Sequence, residues 1–96
     1  MKLVYSPEAV ADLRRLHDLV AAQNPLAARR LSQSLRDGIK RLKQFPHMGR
    51  RVRQSADVWV PEEIRDWVTG TYVARYLLLD ETIVILRIWH QKENRT

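Results

Sequence analysis

The apolar residues change their spacing part-way along the chain. Up to residue 45 they recur every three or four positions, and from residue 57 they approach alternation. A period of about 3.6 belongs to helices and a period of 2 to strands. The first half is therefore expected to be helical and the second half a sheet. Each half buries one side, so the two satisfy each other by stacking as layers.

Local signals set the boundaries. Lys2-Leu3-Val4-Tyr5 is a short strand candidate. Ser6-Pro7 then supplies an N-cap and a proline at the first helical position, where a missing N–H costs nothing. Val10, Leu13, Leu16 and Val20 form the apolar stripe of a helix expected to reach residue 23, with Glu8 and Asp12 near the positive end of its dipole. Asn24-Pro25 repeats the start signal. Ala28, Leu31, Leu35, Ile39, Leu42 and Phe45 mark a second stripe, which Pro46 ends. So short a link implies an antiparallel helical hairpin.

Residues 47–55 read as a loop around Gly49. Val58-Trp59-Val60 and residues 63–68 read as strands, Thr69-Gly70 as a turn, and residues 72–79 and 82–90 as the two strongest strands, joined by Asp80-Glu81. Alternation places Val84, Leu86 and Ile88 on one face of the last strand and Ile83, Ile85, Arg87 and Trp89 on the other. The pattern leaves open which face meets the helices. The expectation is an α+β fold in two layers: β-α-α, then three or four strands, with the hairpin on one face of an antiparallel sheet, all in one domain over 1–96. Some of Arg65, Trp67, Arg75 and Arg87 would then line the other face.

Composition excludes several chemistries. There is no cysteine, so disulfides, thiolate zinc sites and cysteine nucleophiles drop out. His17, His47 and His90 fit no metal-ligand spacing, and neither metal nor cofactor is expected. No apolar run approaches the ~20 residues of a membrane span, and no long apolar segment follows Met1-Lys2, so the expected location is the cytoplasm.

The charge is unevenly spread. Seventeen Lys and Arg face eleven Asp and Glu, a net +6. Residues 29–53 alone hold nine cations (Arg29, Arg36 and Lys40 among them) against one acid, Asp37. Such a field attracts polyanions, either nucleic acid or an acidic partner; a solvated helix face is the plain alternative. A second polar cluster, His90, Lys92, Glu93 and Arg95, follows the last strand. There a histidine offers general acid–base chemistry, and a cation offsets charge on a pentacoordinate phosphate. A solvated chain end is the alternative. Trp59, Trp67 and Trp89 are interface or base-stacking anchors if exposed, and core residues if not.

Several segments together carry a resemblance. They are residues 5–13 (Tyr-Ser-Pro-Glu-Ala-Val-Ala-Asp-Leu), Asn24-Pro25, residues 42–50 (Leu-Lys-Gln-Phe-Pro-His-Met-Gly-Arg), Ile64-Arg65, residues 68–72, Val73-Ala74-Arg75-Tyr76 and residues 83–90. In this order and spacing the chain resembles the RelE/ParE superfamily of toxins from type II toxin–antitoxin modules, the ParE branch in particular. The resemblance implies a RelE-like fold with the first strand beside the last. It also implies a bacterial growth inhibitor silenced in a hetero-oligomer by a cognate ParD- or RelB-like antitoxin, whose acidic C-terminal segment would meet the basic stretch. ParE-like members poison DNA gyrase by binding, with no covalent chemistry of their own. RelE-like members are metal-independent endoribonucleases that cut messenger RNA on the ribosome.

For the ribonuclease reading, the residues at the matching positions are Arg65, His90 and Lys92. The family's Tyr-Arg step reads Tyr72-Val73 here, and no catalytic tyrosine follows before Thr96. For the binding reading, Trp67, Tyr72, Arg75, Arg87 and Trp89 on the strands, and Arg29, Arg36 and Lys40 on the second helix, are the candidate contacts to target or antitoxin. The resemblance therefore favours gyrase, with the ribosome and mRNA as the alternative target.

Overall fold

The computed structural model describes residues 1–52 and 63–93. The Val58-Trp59-Val60 strand, Trp59 and Arg95 lie outside the described residues. The elements are β1 (Lys2–Tyr5), α1 (Pro7–Ala21), α2 (Pro25–Lys40), a 3₁₀ turn (Arg41–Lys43), β2 (Arg50–Arg51), β3 (Glu63–Thr69), β4 (Tyr72–Leu79) and β5 (Thr82–His90). Both caps act as their sequences predict. Ser6 accepts from the Ala9 N–H, and Asn24 from the Ala27 N–H, each at 3.0 Å, with proline next in line. Residues 22–24 join the helices, which pack against each other as an antiparallel hairpin.

The sheet order is β1-β5-β4-β3-β2. β2 to β5 pair antiparallel, and β1 joins β5 in parallel, so the sheet is mixed rather than antiparallel throughout. A chain that leaves β1 through two antiparallel helices and a meander returns beside it in the same direction. β2 falls inside the expected 47–55 loop; two residues are too few to show a period.

Pairing and burial identify the face that meets the helices. Arg65 pairs with Tyr76, Trp67 with Ala74 and Tyr72 with His90, and Tyr76 is fully buried among Leu16, Leu35, Ile39 and Leu42. Cross-strand partners share a face, so Arg65 and Trp67 point to the hairpin and Arg75 points away. Trp67 sets how closely α2 approaches. A Cβ on Gly38 would lie 2.9 Å from the Trp67 ring. Glycine costs a helix interior about 0.5–1 kcal/mol, and here that cost admits the indole beneath α2.

The expected alternation on β5 fails in one place. Arg75 pairs with Arg87 but Tyr76 pairs with Ile85, which leaves Leu86 as the extra residue of a β-bulge. Ile83, Ile85 and Ile88 are therefore all fully buried. Strict alternation would turn Ile88 outward and forfeit the ~1.5–3 kcal/mol its burial contributes. A bulge leaves backbone groups unpaired, and α1 satisfies them. Ser6 Oγ donates to the Leu86 carbonyl at 2.9 Å, and Asp12 accepts the Ile88 N–H at 2.8 Å.

Two helical stripes are also corrected. Val10 is exposed, and the buried face of α1 is Ala9, Asp12 and Leu16, with a carboxylate among the apolar positions. Phe45, expected to end the second stripe, is 56% exposed, because the α-helix stops at Lys40 and the 3₁₀ turn rotates the chain.

Candidate functional site

Three arginines rise from β3, β4 and β5, and each finds a carboxylate of the same chain. Arg75 on the outer face makes a two-pronged pair with Asp66, at 2.8 and 3.0 Å, and its guanidinium lies 5.2 Å from the centre of the Trp89 ring. Arg87 makes a second two-pronged pair with Asp12, at 2.8 and 3.1 Å. Arg65 holds Glu63 with its Nε and donates from Nη1 to the carbonyls of Gly49 and His47, at 2.6 and 3.2 Å. Planar guanidinium groups suit such paired contacts, and little of their charge is left for an external anion.

Arg65 is a loop fastener. Tyr76 completes the fastening: its hydroxyl donates to the Pro46 carbonyl at 2.7 Å and accepts the Gly49 N–H at 2.9 Å. Gly49 is the closest point of that loop to the core, and a Cβ there would sit 2.7 Å from the phenol oxygen.

The chain-end cluster forms a second group. The His90 ring meets Tyr72 edge-on with centroids 4.9 Å apart, and its Nδ1 accepts the Lys92 N–H at 3.0 Å. Glu93 folds back to accept the His90 N–H at 2.8 Å, and its other oxygen holds Arg15 of α1. His90 and Lys92 thus stand together. Arg65 does not join them, because its pairing partner Tyr76 and the His90 partner Tyr72 are four residues apart on β4, about 13 Å at the rise of a strand.

Arg29, Arg36 and Lys40 are exposed on α2. No helix among the described residues is long and apolar enough to cross a membrane.

A family model described as the ParE toxin of the type II toxin–antitoxin system parDE matches residues 3–95. The chain belongs to the ParE toxin family. It is 30% identical over 89 residues to toxin RelE2 of Caulobacter vibrioides, covering 93% of each chain, and 31% identical over 94 residues to toxin RelE1 of the same organism, covering 97% and 96%. Among solved structures it is similar to the chromosomal ParDE TA system from P. aeruginosa, with a TM-score of 0.75, 27% identity, and coverage of 94% and 95%. The hairpin on a five-stranded sheet with β1 beside β5 is thus the architecture the resemblance implies.

In this ParE-family toxin what sequence reasoning missed is the pairing of acids with arginines. Glu63 and Asp66 were not singled out, Asp12 was read only against the helix dipole and Glu93 only as part of the chain-end cluster, yet these four decide what the arginines do. Asp12 carried a faint signal, since it sits three residues after Ala9 and four before Leu16, the spacing of one helix face. Asp66 alternates with Arg65 and Trp67 and looks like ordinary surface charge.

The acids also set a pH response. Burial pushes the Asp12 carboxyl up, but hydrogen bonds from Arg87, the Ile88 N–H and Arg15 outweigh it and hold the group below the ordinary carboxylate range. The hydrogen bond from Arg65 holds Glu63 low against its partial burial. Both groups release their protons more readily folded than unfolded. Their stabilisation is complete above the unfolded pKa of about 4 and fades as pH falls through the lower folded values. The urea midpoint should therefore be flat from about pH 7 to 5 and fall below about pH 4, with a shallower fall in Asp12→Asn. A midpoint that rises on acidification would contradict this.

Proposed function

We propose that this toxin acts by binding, poisoning DNA gyrase so that cleaved DNA accumulates, and that it does so in the cytoplasm. A cognate antitoxin keeps it silent in a hetero-oligomer through an acidic segment that orders on binding. The observation that supports a binding mode is the neutralisation of the arginines on β3, β4 and β5. Arg65, Arg75 and Arg87 are each committed to an internal carboxylate. A ribonuclease needs cations poised at the developing phosphorane charge, and these are spent within the fold.

Target contact is assigned to the end of the sheet where Arg75 lies over Trp89 on the outer face and pairs across the strands with Arg87; Tyr72 and Trp67 support that end from the hairpin side. Antitoxin contact is assigned to the end of the hairpin. There the exposed Phe45 and Met48 share a depression with Arg41, an apolar anchor beside a cation. An amphipathic acidic peptide has both features to match.

The test is a supercoiling assay with purified toxin, gyrase, ATP and relaxed plasmid. Loss of supercoiling, with linear DNA released on denaturation, is the expected result. Unchanged supercoiling at several-fold molar excess of a growth-arresting toxin would sink the gyrase reading.

A ribosome-dependent mRNA interferase is the second reading. The His90–Tyr72 contact, with Lys92 two residues on, favours it. Under that reading His90→Ala and Lys92→Ala each abolish toxicity. Under the gyrase reading they leave it largely intact. Arg65 is unsuited to this comparison because its loss would also release the 47–49 loop.

A further inference from the structure

Helix α2 carries a row of cations that no carboxylate among the described residues neutralises. Arg29, Arg36 and Lys40 are exposed, as is Lys43 in the 3₁₀ turn that continues the helix. At about 100° per residue the four fall within roughly 60° of one another, and at about 1.5 Å per residue they span about 21 Å. Among the described residues, none of the ion pairs involves any of them. Asp37, the one acid on α2, accepts from Gln33 at 2.8 Å instead of from a cation. Among the described residues, Arg36 makes one long bond, 3.4 Å, from Nε to the Ser32 carbonyl. On the α1 side, Arg14 lines the same groove as Arg36. Arg65, Arg75 and Arg87 on the sheet and Arg15 on α1 are each paired with a carboxylate, whereas these four cations are not, so their charge is projected from one helix face.

We infer that the exposed face of α2 is a docking surface for the sugar-phosphate backbone of duplex DNA. The chemistry of the row separates this ligand from an acidic peptide. The large exposed apolar side chains near α2 are Leu26 at its start and Phe45 beyond its end, and none lies between the cations. A peptide helix laid there would bury no apolar stripe and would be held only by exposed ion pairs, which are individually weak. A duplex presents one charge per about 1.7 Å of axis, so about 12 phosphates lie along a 21 Å row. Every cation then finds a partner, and release of condensed counterions drives the association. Backbone contacts of this kind are sequence-independent. The surface would bring the toxin to DNA whichever enzyme it poisons, and the inference does not rest on gyrase being the target.

The experiment is fluorescence anisotropy of the full-length toxin with a labelled duplex of about 24 base pairs, between about 50 and 200 mM salt. Four phosphate contacts predict a slope of log K against log salt near −3.6, or roughly a hundredfold loss of affinity over that range. Arg29→Ala/Arg36→Ala/Lys40→Ala should weaken binding at least tenfold and bring the slope to about −1, with an unchanged far-ultraviolet spectrum and melting curve. The charge reversal Arg29→Glu/Arg36→Glu should abolish binding. The inference is overturned by no anisotropy change at the lowest salt. It is equally overturned by variants that keep the parent affinity and slope, or by polyglutamate displacing the duplex more effectively than unlabelled DNA of equal charge. The last result would assign the row to an acidic peptide. None of these readouts involves gyrase, so the outcome here and the outcome of the supercoiling assay are separable.

Discussion

Asp12→Ala is expected to destabilise the fold by about 2–4 kcal/mol. Asp12 is 3% exposed, and its carboxylate accepts from Arg87, from Arg15 and from the Ile88 N–H. Breaking a fully buried ion pair costs about 3–5 kcal/mol. The Arg87 and Arg15 side chains are 41% and 34% exposed and would regain water, which lowers the figure. The Ile88 N–H would not, and an unpaired buried donor costs about 1–3 kcal/mol by itself. A chain of this size loses about 4–8 °C of Tm per kcal/mol, so thermal melts should shift by roughly 10–25 °C. Asp12→Asn keeps an oxygen for Ile88 and gives up the charge, and should lose about half as much. An alanine variant within about 0.5 kcal/mol of the parent, the range of an ordinary surface substitution, would show that the β5 bulge is held by other means.

Gly49→Ala is the second large effect, at about 2–4 kcal/mol. The added Cβ would lie 2.7 and 2.8 Å from Oη and Cε1 of Tyr76 and 2.9 Å from the Asp66 carbonyl oxygen. Tyr76 is fully buried and Asp66 belongs to a paired strand, so neither side yields easily. Overpacking of this kind costs about 1–3 kcal/mol. The strain also threatens the Tyr76–Gly49 hydrogen bond. Tyr76→Phe, by contrast, leaves the Gly49 N–H and the Pro46 carbonyl without their partner, at about 1–3 kcal/mol. The double variant is the sharper measurement. Removing the hydroxyl opens room for the methyl group, so Gly49→Ala/Tyr76→Phe should cost less than the sum of the two single losses. Denaturant midpoints that add would place the clash elsewhere.

Much of the fold was legible because its signals are local. Ser6-Pro7 and Asn24-Pro25 cap helices by bonds that span three residues. The two helical stripes and the change of period announce a hairpin on a sheet, and the segments from Tyr5 to His90 mark the family. The candidate site was legible only as a set of residue types. Arg65, Arg75 and Arg87 look alike in the sequence, yet one fastens a loop, one sits beside a tryptophan on the outer face and one clamps a helix. Their partners Glu63, Asp66 and Asp12 are 2, 9 and 75 residues away. Only the first of these separations is within reach of a pattern argument.

The same division holds across the molecule. Residue order by itself determined the helices, their caps, the hairpin, the strongest strands and the surplus of positive charge between residues 29 and 53. Each depends on the chemistry of neighbours within a turn or a pleat. The tertiary structure alone decided the bulge at Leu86, the burial of Asp12 inside an apolar face, the fastening of Gly49 by Tyr76 and which cations remain unpaired. Those follow from contacts between elements, where one inserted residue reverses a strand's alternation and a carboxylate far along the chain neutralises an arginine.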